Sequence, residues 1–327
     1  MMTVKSIDSS DAHKAQLTGN GWYMTTNTHY YGYYPYNSDY FNNYNVMTDL
    51  PVSYSGQMQI TNKDLSHLAA FDYMVTQATT TAAGANFTFA HYGSIIRLAC
   101  YVPTQMTFNS IVIKSKTNEN IFSTTASMNV VNQSITTTAT APTATLTLDK
   151  ITVEAGDSLI AYIMTAPTDL TGKSLQLSIN ATDGSALQTY IAGVNIQAGK
   201  VYPVSVGNEN YFRIKNDNSG ADEDTNEVLS LQLDIEDSQP TANQITTATA
   251  YAPDFTLDTE NKLTPFLLGD VNLDGVVNVT DAVIVINHYQ ARTMEELDFN
   301  VSDVNGDNII NVTDAVGIIN IYQRRLQ

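Results

Sequence analysis

The stretch Asp270-Val-Asn272-Leu-Asp274-Gly275-Val-Val-Asn278-Val-Thr-Asp281 (loop 1) recurs as Asp303-Val-Asn305-Gly-Asp307-Asn308-Ile-Ile-Asn311-Val-Thr-Asp314 (loop 2). In each copy, oxygen-bearing side chains stand at positions 1, 3, 5, 9 and 12. Calcium takes about six to eight oxygen ligands at roughly 2.3 to 2.6 Å from loops of this kind. A single acidic turn is weak evidence for a metal site, whereas two copies in tandem predict two calcium ions.

The predicted ligands combine side-chain and backbone oxygens. Side chains at positions 1, 3, 5 and 12 bind directly, position 7 offers its carbonyl, and position 9 acts through water. These residues are Asp270, Asn272, Asp274, Val276, Asn278 and Asp281 in loop 1, and Asp303, Asn305, Asp307, Ile309, Asn311 and Asp314 in loop 2. Position 6 must turn sharply, and both Gly275 and Asn308 tolerate the left-handed backbone that this requires.

An apolar stretch follows each loop and predicts one helix per repeat. The apolar residues are spaced i, i+3 and i+6, as in Val283, Ile286 and Tyr289, so we expect the two stripes to pack on each other. No helix is expected before either loop, unlike in a full EF-hand. The duplicated loop-helix pattern resembles a type I dockerin and covers about residues 266–327.

The dockerin resemblance implies a calcium-dependent module that docks onto a cohesin-like partner. Specificity in that family often resides at loop positions 10 and 11, which here are Val279 and Thr280 in loop 1 and Val312 and Thr313 in loop 2. The same pair in both copies permits two docking orientations. Many cellulosomal modules carry Ser-Thr at these positions, so the valines depart from the cellulosomal pattern.

Charge separates the chain into unlike parts. The net charge is −18, of which residues 1–205 contribute −3, residues 206–265 contribute −9 and residues 266–327 contribute −6. No basic cluster indicates nucleic-acid binding, and no apolar run of about 18 residues predicts a membrane span. We therefore predict three parts: a domain over 1–205, an acidic Thr/Ala-rich connector over 206–265, and the calcium module over 266–327.

Residues 20–205 are predicted to be mainly β. Leu175, Leu177 and Ile179 alternate with polar residues up to Asp183-Gly184, and the alternation resumes at Leu187, which predicts a hairpin. Further strand-like runs begin at Ile95, Ile111, Ala144, Ile151 and Leu159, with turn clusters between them. This spacing is typical of a β-sandwich. Within the connector, Leu229–Ile235 also alternates and predicts one added strand.

A second resemblance rests on motifs in this β region. The motifs are Tyr33-Tyr34-Pro35-Tyr36, His67-Leu-Ala-Ala-Phe71-Asp72-Tyr73-Met74, Phe89-Ala-His91, Ala155-Gly156-Asp157, Leu159-Ile-Ala-Tyr-Ile-Met164-Thr-Ala-Pro167 and Ala198-Gly199-Lys200-Val-Tyr202. Their order is similar to that in the fimbrillin-like proteins of Bacteroidetes. The resemblance implies a transthyretin-like β-sandwich exported to the outer-membrane surface or beyond, with some relatives polymerising by strand donation.

Two features depart from the polymerising relatives. The first arginine, Arg97, lies inside a predicted strand, which argues against maturation by an arginine-specific protease within this chain. We also expect the C-terminal part to form a calcium module and not a donor strand. Its polar start, Met-Met-Thr-Val-Lys, does not resemble a secretory signal, so we expect any export signal to lie upstream.

The sequence carries no recognisable motif for catalysis. The chain lacks GxSxG, HExxH and a phosphate loop, and most acids of the β region stand at predicted turns, where backbone hydrogen bonding explains them. Cys100 is predicted to be a buried apolar residue. The tyrosines between Tyr23 and Tyr44, beside Trp22, are better explained as part of a sheet core, and a sugar-binding platform is the alternative.

The sequence therefore predicts a non-catalytic cell-surface or fimbrial adhesin-type subunit carrying a calcium-dependent dockerin. Its expected partners are a cohesin-like protein and, through the β region, fimbrial subunits or glycans. The alternative is a glycan-acting protein, either a carbohydrate-binding module or a glycoside hydrolase, because dockerins often accompany such enzymes. A hydrolase would need two carboxylates facing one cleft.

Overall fold

The computed structural model describes residues 3–7, 15–18, 27–37, 40, 48–79, 86–206, 213–216, 224–225, 255–258, 263–292 and 296–325. Strands make up almost all of the regular structure up to Phe266, and helices follow it, which confirms the predicted order of fold classes. A short 3₁₀ helix spans Ser66–Ala70. The α-helices are α1 (Val279–Tyr289), α2 (Phe299–Ser302) and α3 (Val312–Arg325).

The strands of the described residues fall into six sheets. The first eleven are β1 (Thr3–Ile7), β2 (Ala15–Thr18), β3 (His29–Tyr34), β4 (Leu50–Ser53), β5 (Gln57–Gln59), β6 (Met74–Thr79), β7 (Ala90–His91), β8 (Ser94–Tyr101), β9 (Met106–Ser115), β10 (Phe122–Asn129) and β11 (Ser134–Ala141). The others are β12 (Thr143–Val153), β13 (Ser158–Thr165), β14 (Thr168–Asp169), β15 (Ser174–Ala181), β16 (Ser185–Ala192), β17 (Asn195–Ile196), β18 (Lys200–Val206), β19 (Arg213–Asn216), β20 (Asp224–Thr225), β21 (Thr256–Leu257) and β22 (Pro265–Phe266).

Two sheets pack face to face and enclose the main core. The larger one has the order β20-β19-β16-β15-β9-β12-β5, with β22 also paired to β16, and the smaller one has the order β13-β8-β18-β21. Buried side chains such as Phe108, Ile111 and Leu177 from the larger sheet meet Leu98 and Leu159 from the smaller one. The β-sandwich prediction is confirmed.

The smaller sheet is buried on both faces. Its second face contacts another apolar cluster, in which Ile95 and Ile160 meet Leu50, Val75 and Met128 from the strands that cover it. This explains why β13 and β8 read as nearly continuous apolar runs, while the half-exposed strands alternate. Arg97 lies within β8 and Cys100 is fully buried there, as predicted.

The predicted hairpin forms as β15 and β16. The strands are antiparallel, with Leu175 opposite Ile191, Leu177 opposite Thr189 and Ile179 opposite Leu187. Gly184 turns the chain with φ +88°, a conformation that its missing Cβ makes inexpensive.

The outer edge of β13 is covered by side chains and not by another strand. The amide of Gln57 pairs with both backbone groups of Met164, accepting from its N–H (2.7 Å) and donating to its carbonyl (2.6 Å). Gln59 accepts from the Tyr162 N–H (3.1 Å) and donates to the Ile160 carbonyl (2.9 Å). A side-chain amide has the donor and acceptor of a peptide group, so these glutamines substitute for a neighbouring strand.

Parts of the predicted connector join the sandwich. The strands β19 and β20 extend the larger sheet, β21 runs parallel to β18, and β22 pairs with β16. Phe255 and Leu263 are buried at 7% and 2% exposure in the two cores. The predicted strand Leu229–Ile235 lies outside the described residues. The domain boundaries at 205 and 266 stay predictions.

The two predicted helices form, but their packing faces differ from the expected stripes. Val283 and Tyr289 are exposed at 45% and 58%, while Ala282 and Val285 are buried. Asp281 is fully buried, and Val283 lies two residues and about 200° further round the helix, which places it on the outer side. The equivalent buried pair in α3 is Ala315 and Ile318, and the two helices share one small core. The four-residue α2 before loop 2 was not predicted.

Candidate metal centre

Loop 1 is organised around the carboxylate at its last position. Oδ1 of Asp281 accepts hydrogen bonds from the backbone N–H groups of Val271 (2.9 Å) and Asn272 (3.2 Å), and Oδ2 accepts from Asn278 N–H (2.8 Å). Asn278 caps α1 by accepting from Thr280 N–H (2.7 Å), which completes a capping box with Asp281. The loop and its helix are therefore fastened together by one buried carboxylate.

Loop 2 repeats this arrangement almost atom for atom. Oδ1 of Asp314 accepts from Val304 N–H (2.9 Å) and Asn305 N–H (3.2 Å), and Oδ2 accepts from Asn311 N–H (2.9 Å). The sequence repeat therefore encodes a repeat of conformation, although the two loops share few identical residues between positions 4 and 8.

Left-handed backbone appears at two positions of each loop. Position 6 was predicted, and Gly275 and Asn308 have φ of +85° and +64° there. Position 4 was not: Leu273 and Gly306 have φ of +57° and +76°. A leucine in this conformation is strained, whereas glycine adopts it freely.

The predicted carboxylate ligands converge most closely in loop 2. One oxygen from each of Asp303, Asp307 and Asp314 lies within 4.8 Å of the others, the one such carboxylate group among the described residues. Ligands on opposite sides of a calcium ion lie roughly 5 Å apart, so an all-oxygen cluster of this size fits calcium. Without a cation, three carboxylates at this spacing repel one another.

The carboxylates of loop 1 also repel one another, which is seen in the pKa of Asp270. Burial raises the pKa of Asp270 above its ordinary value, and the neighbouring Asp281 and Asp274 act in the same direction. The backbone N–H groups of Gly275 and Asp274 oppose this rise by hydrogen bonding to the carboxylate. A cation at the site would favour the ionised form of Asp270 that it binds.

The other predicted ligands lie around these carboxylates. Asn272 donates to Asp274 (2.8 Å) and Asn305 to Asp307 (3.1 Å), so positions 3 and 5 are adjacent in both loops. The position 9 amide lies 3.4 Å from the position 7 carbonyl in each loop, in the pairs Asn278 with Val276 and Asn311 with Ile309. The twelve-residue ligand assignment stays a prediction.

The predicted docking positions are on the surface. Val279 and Val312, at position 10, are exposed at 49% and 44%. Val283 and Val316, one helical turn further along each helix, are exposed at 45% and 51%. Each helix therefore shows solvent the same pair of valines.

One residue near loop 2 was missed by sequence reasoning. Lys116, directly after β9, donates from Nζ to the backbone carbonyl of Asp303. Burial lowers the pKa of Lys116, and the negative charges of Asp303 and Asp314 oppose this. No local pattern marks Lys116, since its contact spans almost two hundred residues of sequence.

The remaining candidates behave as structural residues. The hydroxyl groups of Thr171 and Ser185 hydrogen bond to Asp169 and Asp183 and lower the pKa values of these carboxyls, and the backbone N–H groups of the same residues (3.0 and 2.9 Å) add to this. These two residues are turn acids of the predicted kind. Asp72 differs, because it is buried and pairs with Nδ1 of His91 at 2.7 Å.

The aromatic segment is only partly described. Trp22, Tyr23 and Tyr44 lie outside the described residues, Tyr33 packs on Tyr40 with ring centroids 5.5 Å apart, and Tyr31 and Tyr36 are exposed. These contacts leave the choice between core and sugar platform open.

Comparison with known proteins yields two family matches. The Fimbrillin-like family model matches residues 5–237, and the model of the Dockerin type I domain matches residues 268–321. Dockerin type I domains bind calcium. No curated protein matches the chain. Among the described residues, we find no helix with the length and hydropathy needed to cross a membrane.

Several solved structures are similar to the chain. A candidate cell adhesion protein from Bacteroides ovatus is 17% identical, with 59% of this chain and 69% of that chain covered and a TM-score of 0.40. Another, from Bacteroides uniformis, is 15% identical over 57% and 72%, with a TM-score of 0.37. A fimbrial protein from Bacteroides vulgatus is 11% identical over 57% and 76%, with a TM-score of 0.30.

Proposed function

Since the chain belongs to the fimbrillin-like family and carries a C-terminal type I dockerin domain, we propose that it is a non-catalytic adhesin-type subunit of the cell surface. The dockerin binds two calcium ions and docks onto a cohesin-like partner. One observation carries this proposal: the two repeats expose matching valines around two matching carboxylate loops.

The proposal of two calcium ions is supported by the likeness of the loops. Asp281 and Asp314 each accept three backbone N–H groups at nearly equal distances, and Asp270 and Asp303 are both 4% exposed. Two loops that place the same oxygen donors in the same conformation favour the same ion. Both loops are therefore prepared for the same hard cation.

The docking proposal is supported by the exposed apolar surface of the module. Isolated apolar residues on a surface need no explanation, but a repeated pattern on paired helices indicates an interaction site. Val279 and Val283 on α1 match Val312 and Val316 on α3. A partner can therefore cover either helix in the same way.

Calcium binding can be tested by calorimetry on the intact chain. We expect two equivalents of calcium for the natural sequence. Replacing both Asp270 and Asp281 by alanine should remove one equivalent and leave the other. A stoichiometry that stays at two would contradict the ligand assignment in loop 1.

Docking can be tested with a panel of cohesin modules and aspartate substitutions. Val279→Asp or Val312→Asp alone should weaken binding by no more than about twofold, because the other repeat still offers a complete face. The double variant should bind about 100-fold more weakly, since a charge would be buried against an apolar partner. Val131→Asp is the matched control, because Val131 is an exposed valine (39%) outside the module.

Two results would contradict docking through the dockerin. One is binding of the double variant at the natural affinity. The other is binding that persists after a chelator has removed calcium, because the loops hold the helices that present the valines.

A further inference from the structure

The dockerin is in contact with the sandwich of its own chain, and the contact lies at loop 2. Gly306, at position 4, faces the turn after β9: a Cβ placed on it would lie 3.7 Å from Cγ2 of Thr117 and 3.8 Å from Cε of Lys116. Asn300 of α2 accepts a hydrogen bond from the hydroxyl of Ser174 (3.1 Å). The second repeat therefore packs on the sandwich surface.

Lys116 is held in this contact by its own backbone. Its N–H donates to the Ser174 carbonyl (3.0 Å), and its side chain reaches the Asp303 carbonyl. Lys173, beside Ser174, is instead paired with Glu119 at 2.5 Å. Lys116 is thus the ammonium group that faces the second loop.

This lysine stands beside the closest group of carboxylates in the described part of the chain. Asp303, Asp307 and Asp314 bring oxygens within 4.8 Å of one another, and Asp303 is 4% exposed. Like charges this close need a cation nearby, and in a partly buried setting the attraction to an ammonium is stronger than in water. Lys116 can supply this cation, because its ammonium group contacts the backbone carbonyl of Asp303 and is attracted by the charges of Asp303 and Asp314.

We propose that Lys116 is a tethered competitor for the calcium ion of loop 2, so that loop 2 binds calcium more weakly than loop 1. The inference rests on the proposed calcium sites. An ammonium beside the loop stabilises the carboxylates before calcium arrives and repels the ion afterwards. Because coupling is reciprocal, calcium in loop 2 also weakens the grip of Lys116 on Asp303.

The interface thus links calcium to the position of the dockerin. At low calcium, loop 1 fills while Lys116 still fastens the second repeat to the sandwich. At higher calcium, loop 2 fills and that fastening is loosened. The two repeats, alike in sequence, then respond at different calcium concentrations.

The test is a calcium titration of the intact chain followed by the backbone amide resonances of Gly275 and Gly306, one reporter in each loop. In the natural chain, Gly306 should respond at a higher calcium concentration than Gly275. Lys116→Met should lower the midpoint for Gly306 by about tenfold and leave that for Gly275 unchanged.

Two control variants isolate the charge from other effects. Lys116→Arg keeps a cation beside loop 2 and should keep the natural order of the midpoints. Lys114→Met removes the same charge from an exposed residue on the same strand, and both midpoints should stay where they are.

The outcomes separate this inference from the proposed function. If both loops bind calcium and Lys116→Met leaves or raises the midpoint for Gly306, the competitor role is overturned and the calcium sites stand. If neither resonance responds to calcium, both the sites and the competitor role are overturned.

Discussion

Leu273 and Gly306 occupy position 4 of the two loops, where the backbone is left-handed. Glycine adopts this conformation more easily than leucine does. Both have positive φ, +57° and +76°, and Leu273 is 65% exposed. A non-glycine residue in the left-handed region costs about 1–2 kcal/mol, and an exposed leucine recovers little of that by packing. Loop 1 therefore stores strain that loop 2 avoids.

Relieving this strain should stabilise the dockerin. Leu273→Asn should raise the free energy of unfolding by about 1 kcal/mol, because asparagine tolerates positive φ. Urea unfolding of the calcium-loaded chain, followed by helical circular dichroism, measures this. Val276→Asn is the control: it is an exposed apolar residue of the same loop without positive φ, and no gain is expected. Equal gains for both variants would refute the strain at Leu273.

Cys100 offers a second test at a single residue. Burial raises its pKa to about 12, and the side chain is fully enclosed. At pH 8 roughly one thiol in 10,000 would be ionised, so an alkylating reagent should not modify the native protein. Mass spectrometry after iodoacetamide treatment should show modification only in denaturant. Rapid modification of the folded chain would place Cys100 outside the core.

Site residues could be predicted from the sequence where the residue type itself indicates the function. Spaced carboxylates and amides revealed both loops, and the need for a turn revealed Gly275 and Asn308. Leu273 could not be predicted to have positive φ, because leucine usually avoids it. Lys116 could not be predicted either, because its role arises from a contact between distant parts of the fold.

At the scale of single elements, the helices were predictable but their orientation was not. Apolar residues spaced i, i+3 and i+6 predict a helix, but this spacing does not decide which face of the helix is buried, since the neighbouring positions also carry apolar residues. The choice is made by Asp281 and Asp314, whose carboxylates turn inward to collect backbone N–H groups of the loops. That requirement leaves Val283 and Val316 on the surface.

The glutamine-covered edge of β13 gives a test of element stability. Gln59→Leu keeps the size of the side chain but leaves the Tyr162 N–H and the Ile160 carbonyl without their amide partner. Each buried unpaired group costs about 1–3 kcal/mol, so we expect a loss of about 2–6 kcal/mol in urea unfolding of the intact chain. Gln105→Leu, at an exposed glutamine, should change stability by less than about 0.5 kcal/mol. A loss for Gln59→Leu as small as the one expected for Gln105→Leu would show that the edge contacts do not stabilise the sandwich.

At the scale of the whole molecule, short strands after residue 205 pair with the two sheets of the sandwich. Leu263 fills the main core and Phe255 the second one, and their segments reach the sandwich through β21 and β22. The acidic composition of 206–265 suggested a linker. The few apolar residues of this segment that are buried, such as Phe255 and Leu263, are scattered along it and form no recognisable pattern. Composition alone could not show that they return to the sheets.

Truncation distinguishes a linker from a part of the domain. A fragment of residues 1–267 should keep the stability of the sandwich, whereas a fragment of residues 1–205 should lose at least about 3 kcal/mol, since Leu263 and Phe255 no longer fill their sites. Urea unfolding followed by tyrosine fluorescence compares the two fragments. Equal midpoints would mean that residues 206–265 do not contribute to the sandwich.

The position of β22 has a mechanical consequence. A partner that holds the dockerin and pulls on it would load the chain at Asp270, and the tension would reach the sandwich first at Pro265 and Phe266. That strand is two residues long, so it carries far fewer hydrogen bonds than the β15–β16 hairpin behind it. Under load, β22 would separate from β16 before the β15–β16 hairpin opens, so the joint would lengthen while the rest of the sandwich stays folded.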